Sequence, residues 1–434
     1  MKLRKIYTSA GILLLSLFCI GDAVAKDAKF ETGVSFGSTG ADEPYSSLTD
    51  KDGNYYISGT CRGDVEFAGG ATIKGRGGMD AVIVKYDAEL NFLWARAVGG
   101  SKDDTFERIA VTSAGDIVAV GKISGDVTID GTDQTLSGTQ STDGCIVVYD
   151  KDGNYKSSAQ IKAAGASLCY SVAVDKSDNI FVTGSTVGAT DFGNEKTVTI
   201  EGSNPGTFLA CYNNSLVCQW AIAGSSPVQS YGWAVNFDKE ENILLTGRFG
   251  TTFTITGTDG EALTTAVGSE SSQDTYVAKL SHEGVGQWIT YVTNSNRIDT
   301  RSIDSDSQGN VYIWGHCQSA VTPEGQSPLG FNGNFDSFLI KYSSAGAYLD
   351  GMNLGGSGRD EAKSLFVDAD DNIYVAGNVN GDGSKGGTAV NMNPRGESKD
   401  YTFKGHDGYV AKYNGSTWEL MQLEKTVTPD NANQ

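Results

Sequence analysis

One phrase, written six times along the chain, limits what this protein can fold into more than any other feature. It appears as DKDGNYYISG (Asp50 to Gly59), DKSDNIFVTG (Asp175 to Gly184), DKEENILLTG (Asp238 to Gly247), DSQGNVYIWG (Asp306 to Gly315) and DADDNIYVAG (Asp368 to Gly377), with a worn copy, TSAGDIVAVG, from Thr112 to Gly121. The anchors Asn54, Asp116, Asn179, Asn242, Asn310 and Asn372 are 62, 63, 63, 68 and 62 residues apart. A fixed period of this length signals a repeat architecture whose units bury their faces against one another.

Three further phrases keep the same period. The second reads DAVIVKYD (Asp80 to Asp87), DGCIVVYD, GTFLACYN, DTYVAKLS, DSFLIKYS and DGYVAKYN (Asp407 to Asn414), largely apolar on both alternating sets, as expected of a strand covered on both faces. The third is an outer-strand phrase such as LWARAVGG (Leu93 to Gly100) or QWITYVT (Gln287 to Thr293). The fourth is a short β-branched segment just before the next anchor: ERIAV ending at Val111, YSVAV at Val174, GWAVNF at Phe237 and KSLFV at Val367. Four short strands per unit joined by Asp/Asn/Gly turns predict an all-β fold, a β-propeller of four-stranded antiparallel blades, with six blades favoured and seven as the alternative. Outer-strand phrases stand at both ends, Phe30 to Gly40 and Ser416 to Glu424, and one of them is expected to complete the last blade. The closing glycines (Gly59, Gly121, Gly184, Gly247, Gly315, Gly377) are expected where the backbone needs positive φ or a close approach.

The combination DxxGNxYVxG, then DxFVAKYD, then W-A-x-x-x-GG resembles the SBBP (seven-bladed β-propeller) repeat of bacterial cell-surface and secreted proteins, over about residues 30 to 424. The resemblance implies a propeller and an envelope or extracellular location rather than a shared activity. Residues 1–25 read as a signal peptide: Lys2, Arg4 and Lys5 open it, Ala10 to Ile20 is apolar but too short to span a bilayer, and Ala23-Val24-Ala25 is a cleavage site. The expected product is exported to periplasm, cell surface or medium as a single propeller domain, residues 26–434. Lipid anchoring at Cys19 is disfavoured by Phe18 before it, and no stretch is expected to form a transmembrane span.

Removing residues 1–25 takes away three positive charges and one negative, moving the formal charge from −20 to −22. Such a chain repels phosphate backbones, so nucleic acid is not an expected partner. His282, His316 and His406 lack ligand-like spacing and read as loop residues. Asp50, Asp52 and Asn54 have the spacing that opens a calcium loop. The echo of DKDGN at Asp150 to Asn154 falls at a different strand junction, so the phrase reads as a hairpin turn, with calcium as the alternative. Cys211 and Cys218 flank YNNSLV and are the candidate disulfide; the other exported cysteines read as small buried residues. Arg62-Gly63-Asp64 has the form of an adhesion tripeptide, but Gly125-Asp126 repeats its latter half, which assigns it to the scaffold.

No nucleophile with a base, no catalytic carboxylate pair and no cofactor motif stands outside the repeat columns. Trp233 and Trp314 read as core residues that could instead line one face. The long segments Phe249 to Gln273 and Asn378 to His406 depart most from the period and are candidate functional loops. The expectation is a monomeric, non-enzymatic interaction module that binds a protein or glycan through one face of the ring. The alternative is a propeller hydrolase or lyase acting on polysaccharide.

Overall fold

The computed structural model describes residues 37–425, apart from 39, 68–70, 139–141, 267–272, 381–387, 398–399 and 404–405. Residues 1–25, read as a signal peptide, and residues 30–36 of the first outer-strand phrase lie outside the described residues. The fold is all-β, six antiparallel four-stranded blades of the propeller type. In each blade the fourth phrase is the first strand, followed in space by the anchor phrase, the second phrase and the outer-strand phrase. Blade four, for example, runs Ser230–Phe237, Ile243–Phe249, Asp274–Leu280 and Gly286–Thr293. Every blade takes its four strands in chain order from one continuous stretch, and Leu420–Lys425 is the fourth strand of the sixth blade itself. The count is six rather than the seven of the family name.

The chain divides into two compact units, residues 1–162 with 166–169, and residues 163–165 with 170–434. The first holds blades one and two; the second holds blades three to six, apart from the first three residues of blade three's first strand. Within each unit the core lies between neighbouring blades. In the first, Tyr56, Ile83, Trp94, Phe106, Val147 and Tyr149 form one such layer. In the second, Phe181, Leu209, Leu245 and Tyr276 form another. The third strands are buried almost throughout, and along their whole length at Gly206–Tyr212 and Asp274–Leu280, which is why both alternating sets of the second phrase are apolar.

Neighbouring blades are also pinned by polar groups where the third-strand lysine meets the next third-to-fourth-strand turn. Lys85 Nζ and Trp94 Nε1 both donate to the Lys151 carbonyl, at 2.8 and 3.2 Å. Trp288 Nε1 donates to the Ser344 carbonyl at 3.0 Å, with Lys279 Nζ reaching the same oxygen.

A β-bulge interrupts the pairing of first and second strands. In blade four Gly232 faces Gly247 and Ala234 faces Thr246, so Trp233 is the extra residue. The extra residue is Tyr45 in blade one, Glu107 in blade two, Arg301 in blade five and Lys363 in blade six. The bulge explains the closing glycine of the anchor phrase by close approach. A Cβ on Gly247 would stand 1.8 Å from the Tyr231 carbonyl oxygen, and one on Gly121 would stand 1.9 Å from that of Thr105.

In blades two and four the segment between second and third strands forms a hairpin that adds to the outer strand of the preceding blade, whereas Thr388–Asn391 and Asp400–Phe403, within Asn378 to His406, pair with each other as a separate two-stranded sheet. Ile255 and Thr254 pair with Gly224 and Ser225; Val127, Thr128 and Ile129 pair with Gly100, Gly99 and Val98. Phe249 to Gln273, read as a functional loop, therefore largely covers a sheet edge. All six described cysteines are buried free thiols. The predicted pair fails on register: a bulge between Cys211 and Tyr212 sets Cys211 opposite Trp220 and Cys218 opposite Tyr212, so the two are not cross-strand partners. Among the described residues no helix is long and apolar enough to cross a membrane.

Candidate functional site

Of the calcium-loop candidates, Asp50 and Asn54 bond to each other within their own turn, while Asp52 contributes its backbone N–H and is exposed. Asp50 Oδ1 accepts the backbone N–H groups of Asp52 and Asn54, each at 2.9 Å, and its Oδ2 accepts Asn54 Nδ2 at 2.8 Å and the Tyr56 hydroxyl at 3.1 Å. Asp150, Asp175, Asp238, Asp306 and Asp368 repeat the arrangement with their own Asn four residues on. The aspartate starts an Asx-type turn and the glycine or left-handed residue closes it. Burial alone would raise these carboxyls, but the Asn amide and backbone donors outweigh it, and Asp50, Asp175, Asp238, Asp306 and Asp368 all lie below their ordinary value.

A lysine from the third strand completes the turn in four blades, most closely at Lys279–Asp238, 2.6 Å, and Lys341–Asp306, 3.2 Å. The exceptions are instructive. Blade two has Thr112 in place of the aspartate and Val148 in place of the lysine, so both charges are gone together. Blade three keeps Asp175 but has Cys211 at the lysine position, and His282 Nε2 supplies the contact from the next blade at 2.7 Å. His282 is thus a turn residue, as read. His316 is not: it lies buried on the second strand of blade five, Val311–Cys317. His406 is a strand residue whose side chain is outside the description.

The arrangement that does project chemistry is the bulge column. Tyr45, Glu107, Tyr170, Trp233, Arg301 and Lys363 follow one another at intervals of 62, 63, 63, 68 and 62, the spacing of the anchors. Around them the scaffold repeats, yet these side chains are aromatic, acidic or basic in turn. A bulge re-aims the side chain it carries. In the first unit Tyr45 is 41% exposed and its hydroxyl donates to Glu43 at 2.6 Å.

In the second unit the column gathers a cluster. Tyr231 stacks on Trp233 with centroids 5.6 Å apart and planes at 17°, and Tyr170 packs 4.4 Å from Trp233. The Arg248 guanidinium lies 4.7 Å from the Tyr231 ring, and that of Arg301 lies 5.3 Å from Trp233. Fully buried Asp299 organises the cations: Arg297 at 2.7 Å, Arg248 at 3.3 Å, His316 at 3.6 Å and Arg301 at 3.8 Å. Next to them Glu361 pairs with Arg359 at 2.6 Å and Lys363 at 2.9 Å. Burial would raise both acids. The His316 hydrogen bond and the arginine charges hold Asp299 well below its ordinary range, and Lys363, His316 and Arg359 draw Glu361 down to about 2. Burial in turn lowers His316. Trp233 therefore belongs to this half-buried cluster rather than to the core, whereas Trp314 is fully buried and donates Nε1–H to the Ala376 carbonyl at 3.0 Å.

Burial also lifts half-buried Asp304 to about 7, against hydrogen bonds from the Val367 and Ser305 amides, and two further raised carboxyls are sealed. Burial lifts Asp104 to about 7, against hydrogen bonds from the Ser124 and Gly100 amides, and lifts Asp360 to about 7, with Asp336 beside it adding repulsion. Both are at most 1% exposed. A folded state that holds these protons more tightly than the unfolded chain gains stability that is complete below about pH 4 and disappears as pH rises through 7. The Asx-turn carboxyls contribute in the opposite sense, with stability present above about pH 4 and lost as pH falls below it. The thermal midpoint should accordingly peak near pH 5, stand measurably higher there than at pH 8 and fall below pH 4, as a melt series across buffers will show; a midpoint that climbs steadily to pH 8 contradicts the assignment.

Comparison with known proteins agrees with the repeat. Residues 158–193 match the family model for the SBBP β-propeller repeat. An uncharacterized WD repeat-containing protein of Acanthamoeba polyphaga mimivirus is 22% identical over 435 aligned positions, covering 82% of this chain and 31% of that protein's length. The chain thus spans about a third of that relative. Among solved structures, a protein of unknown function from Bacteroides caccae aligns over 63% of this chain and 89% of its own at 14% identity and a TM-score of 0.29. A eukaryotic initiation factor aligns over 90% of this chain and 89% of its own at 8% identity and a TM-score of 0.32.

Proposed function

For a chain that carries the SBBP β-propeller repeat, we propose the role of an exported, non-enzymatic interaction module that recognises its ligand through the bulge column of the first strands. The observation that carries this reading is that the residue bulged out between first and second strands, Tyr45, Glu107, Trp233, Arg301 and Lys363 in blades one, two, four, five and six, has a large side chain whose chemistry changes from blade to blade. A scaffold position repeats because packing repeats; a position freed from packing can be spent on recognition. The SBBP match and the distant WD-repeat relative support a repeat scaffold used for interaction. Export rests on the reading of residues 1–25.

The rival reading, a polysaccharide hydrolase or lyase, asks for a carboxylic acid held near neutrality within reach of substrate. Asp299 and Glu361, the acids in the cluster, are held low by their cations; of the acids raised to about 7, Asp104 and Asp360 are sealed in the fold, and half-buried Asp304 is committed to the Val367 and Ser305 amides and to Asn236 Nδ2 at 2.8, 2.9 and 3.1 Å. These features favour binding over acid–base chemistry.

The test is a thermal-shift screen of the purified chain against neutral and acidic oligosaccharides, peptidoglycan fragments, calcium and EDTA. A specific ligand at a hundredfold excess over its dissociation constant adds about 2.7 kcal/mol to the folded state. The expected result is a stabilising saccharide whose effect is abolished by Trp233→Ala and kept by Met421→Ser, a change at an exposed position on the sixth blade's outer strand. Stabilisation that survives Trp233→Ala but is lost on Met421→Ser places recognition on the outer edges and overturns the proposal.

A further inference from the structure

We infer that the second unit's aromatic–arginine cluster binds an acidic saccharide, a pyranose bearing a carboxylate. The inference rests on the bulge-column reading above and adds the ligand's charge and class.

Charge gives the first argument. The cluster brings Arg248, Arg297, Arg301, Arg359 and Lys363 against two acids, Asp299 and Glu361, an excess of three positive charges in a chain whose formal charge is −20. His316, whose proton affinity burial lowers against its bond to Asp299, is left out of this excess. A local positive field inside a strongly negative molecule selects small anions that reach it and repels long polyanions from the surrounding surface.

Unmet donors give the second. Trp233 Nε1 and Arg248 Nε are shielded from solvent and have no hydrogen-bond partner among the described residues. Buried donors without partners are uncommon in folded proteins, and here they mark hydrogen-bonding capacity that the described residues leave unused. Carboxylate and hydroxyl oxygens on one small ring supply such acceptors, and guanidinium groups bind carboxylates in a matching fork.

The rings of Tyr170, Tyr231 and Trp233 give the third. Half-buried aromatic groups pack against the C–H face of a pyranose, an apolar surface on a polar molecule. An acidic peptide would instead draw on main-chain pairing along a sheet edge. The combination of ring faces, unmet donors and surplus cations in one place fits a carboxylated sugar.

The experiment is titration calorimetry with an oligogalacturonide and with its fully methyl-esterified form, which keeps the ring faces and removes the charge. The acid form is expected to bind at least about tenfold more tightly, equivalent to about 1.4 kcal/mol, and to weaken as salt rises through 0.5 M. Lys363→Gln, at an exposed position, and Arg301→Gln should each remove most of that preference; thermal melts confirm that both variants fold. Equal or tighter binding of the ester, abolished by Trp233→Ala, overturns the acid inference and leaves the bulge-column reading standing. Absence of binding by either sugar, together with capture of a polyglutamate peptide in a Trp233-dependent manner, overturns the saccharide in favour of an acidic peptide. Binding of either sugar that ignores Trp233, Arg301 and Lys363 overturns both.

Discussion

Replacing Asp238 by alanine should cost the protein about 3–5 kcal/mol in urea unfolding, because it strips a buried turn of its acceptor and leaves a buried ammonium without its anion. Asp238 accepts the Glu240 and Asn242 amides at 3.0 and 2.9 Å, Asn242 Nδ2 at 2.9 Å and Lys279 Nζ at 2.6 Å, and both charged residues are about 5% exposed or less. The second blade shows how the same place is filled without charge. Thr112 Oγ1 accepts the Asp116 amide at 3.0 Å, and Val148 lies where Lys279 would be. The double change Asp238→Thr with Lys279→Val should therefore recover most of the loss, whereas Asp238→Thr alone should remain strongly destabilised. A double-mutant cycle measures the difference as a coupling energy. Additive single effects, with no recovery in the pair, contradict the view that the two charges are kept only for each other.

The second large effect is expected at Asp299. Its carboxylate is the shared anion of Arg248, Arg297, Arg301 and His316, and Arg248 is only 11% exposed at its side chain. Asp299→Ala leaves a buried guanidinium unpaired, and a loss of about 3–5 kcal/mol follows from that alone. Asp299→Asn keeps a carbonyl oxygen for one hydrogen bond and should lose less. Because Arg248 and Arg301 lie over Tyr231 and Trp233, the alanine variant should also shift tryptophan emission under conditions where it is still folded. Unchanged stability in Asp299→Ala contradicts the picture of a buried organising anion.

Architecture was legible because packing repeats. Each blade needs the same apolar third strand, the same Asx turn and the same closing glycine, so period and strand order can be read directly. The bulge was harder to see. It is an insertion of backbone, and the residues that mark it, Tyr45, Glu107, Tyr170, Trp233, Arg301 and Lys363, share no chemistry. Their signal is the regular spacing of unlike residues opposite a repeated glycine, which reads as noise until pairing register is known. Register also undid the Cys211–Cys218 pairing, since a single extra residue moves a side chain off its cross-strand partner. Long segments such as Phe249 to Gln273 looked spare in sequence because the edge they cover belongs to another blade. His316 and Trp233 were misplaced for a related reason: burial of a polar cluster depends on neighbours far away in sequence, such as Asp299 for His316 and Tyr170 and Arg301 for Trp233.

The claim that recognition runs through the first-strand bulges is tested most directly by hydrogen exchange with and without the tightest saccharide from the screen. Protection confined to the segments around Tyr170, Trp233, Arg301 and Lys363 is the predicted result. Protection concentrated in the edge hairpin Thr252–Thr256 and Ala262–Ala266, with the first strands unchanged, contradicts it.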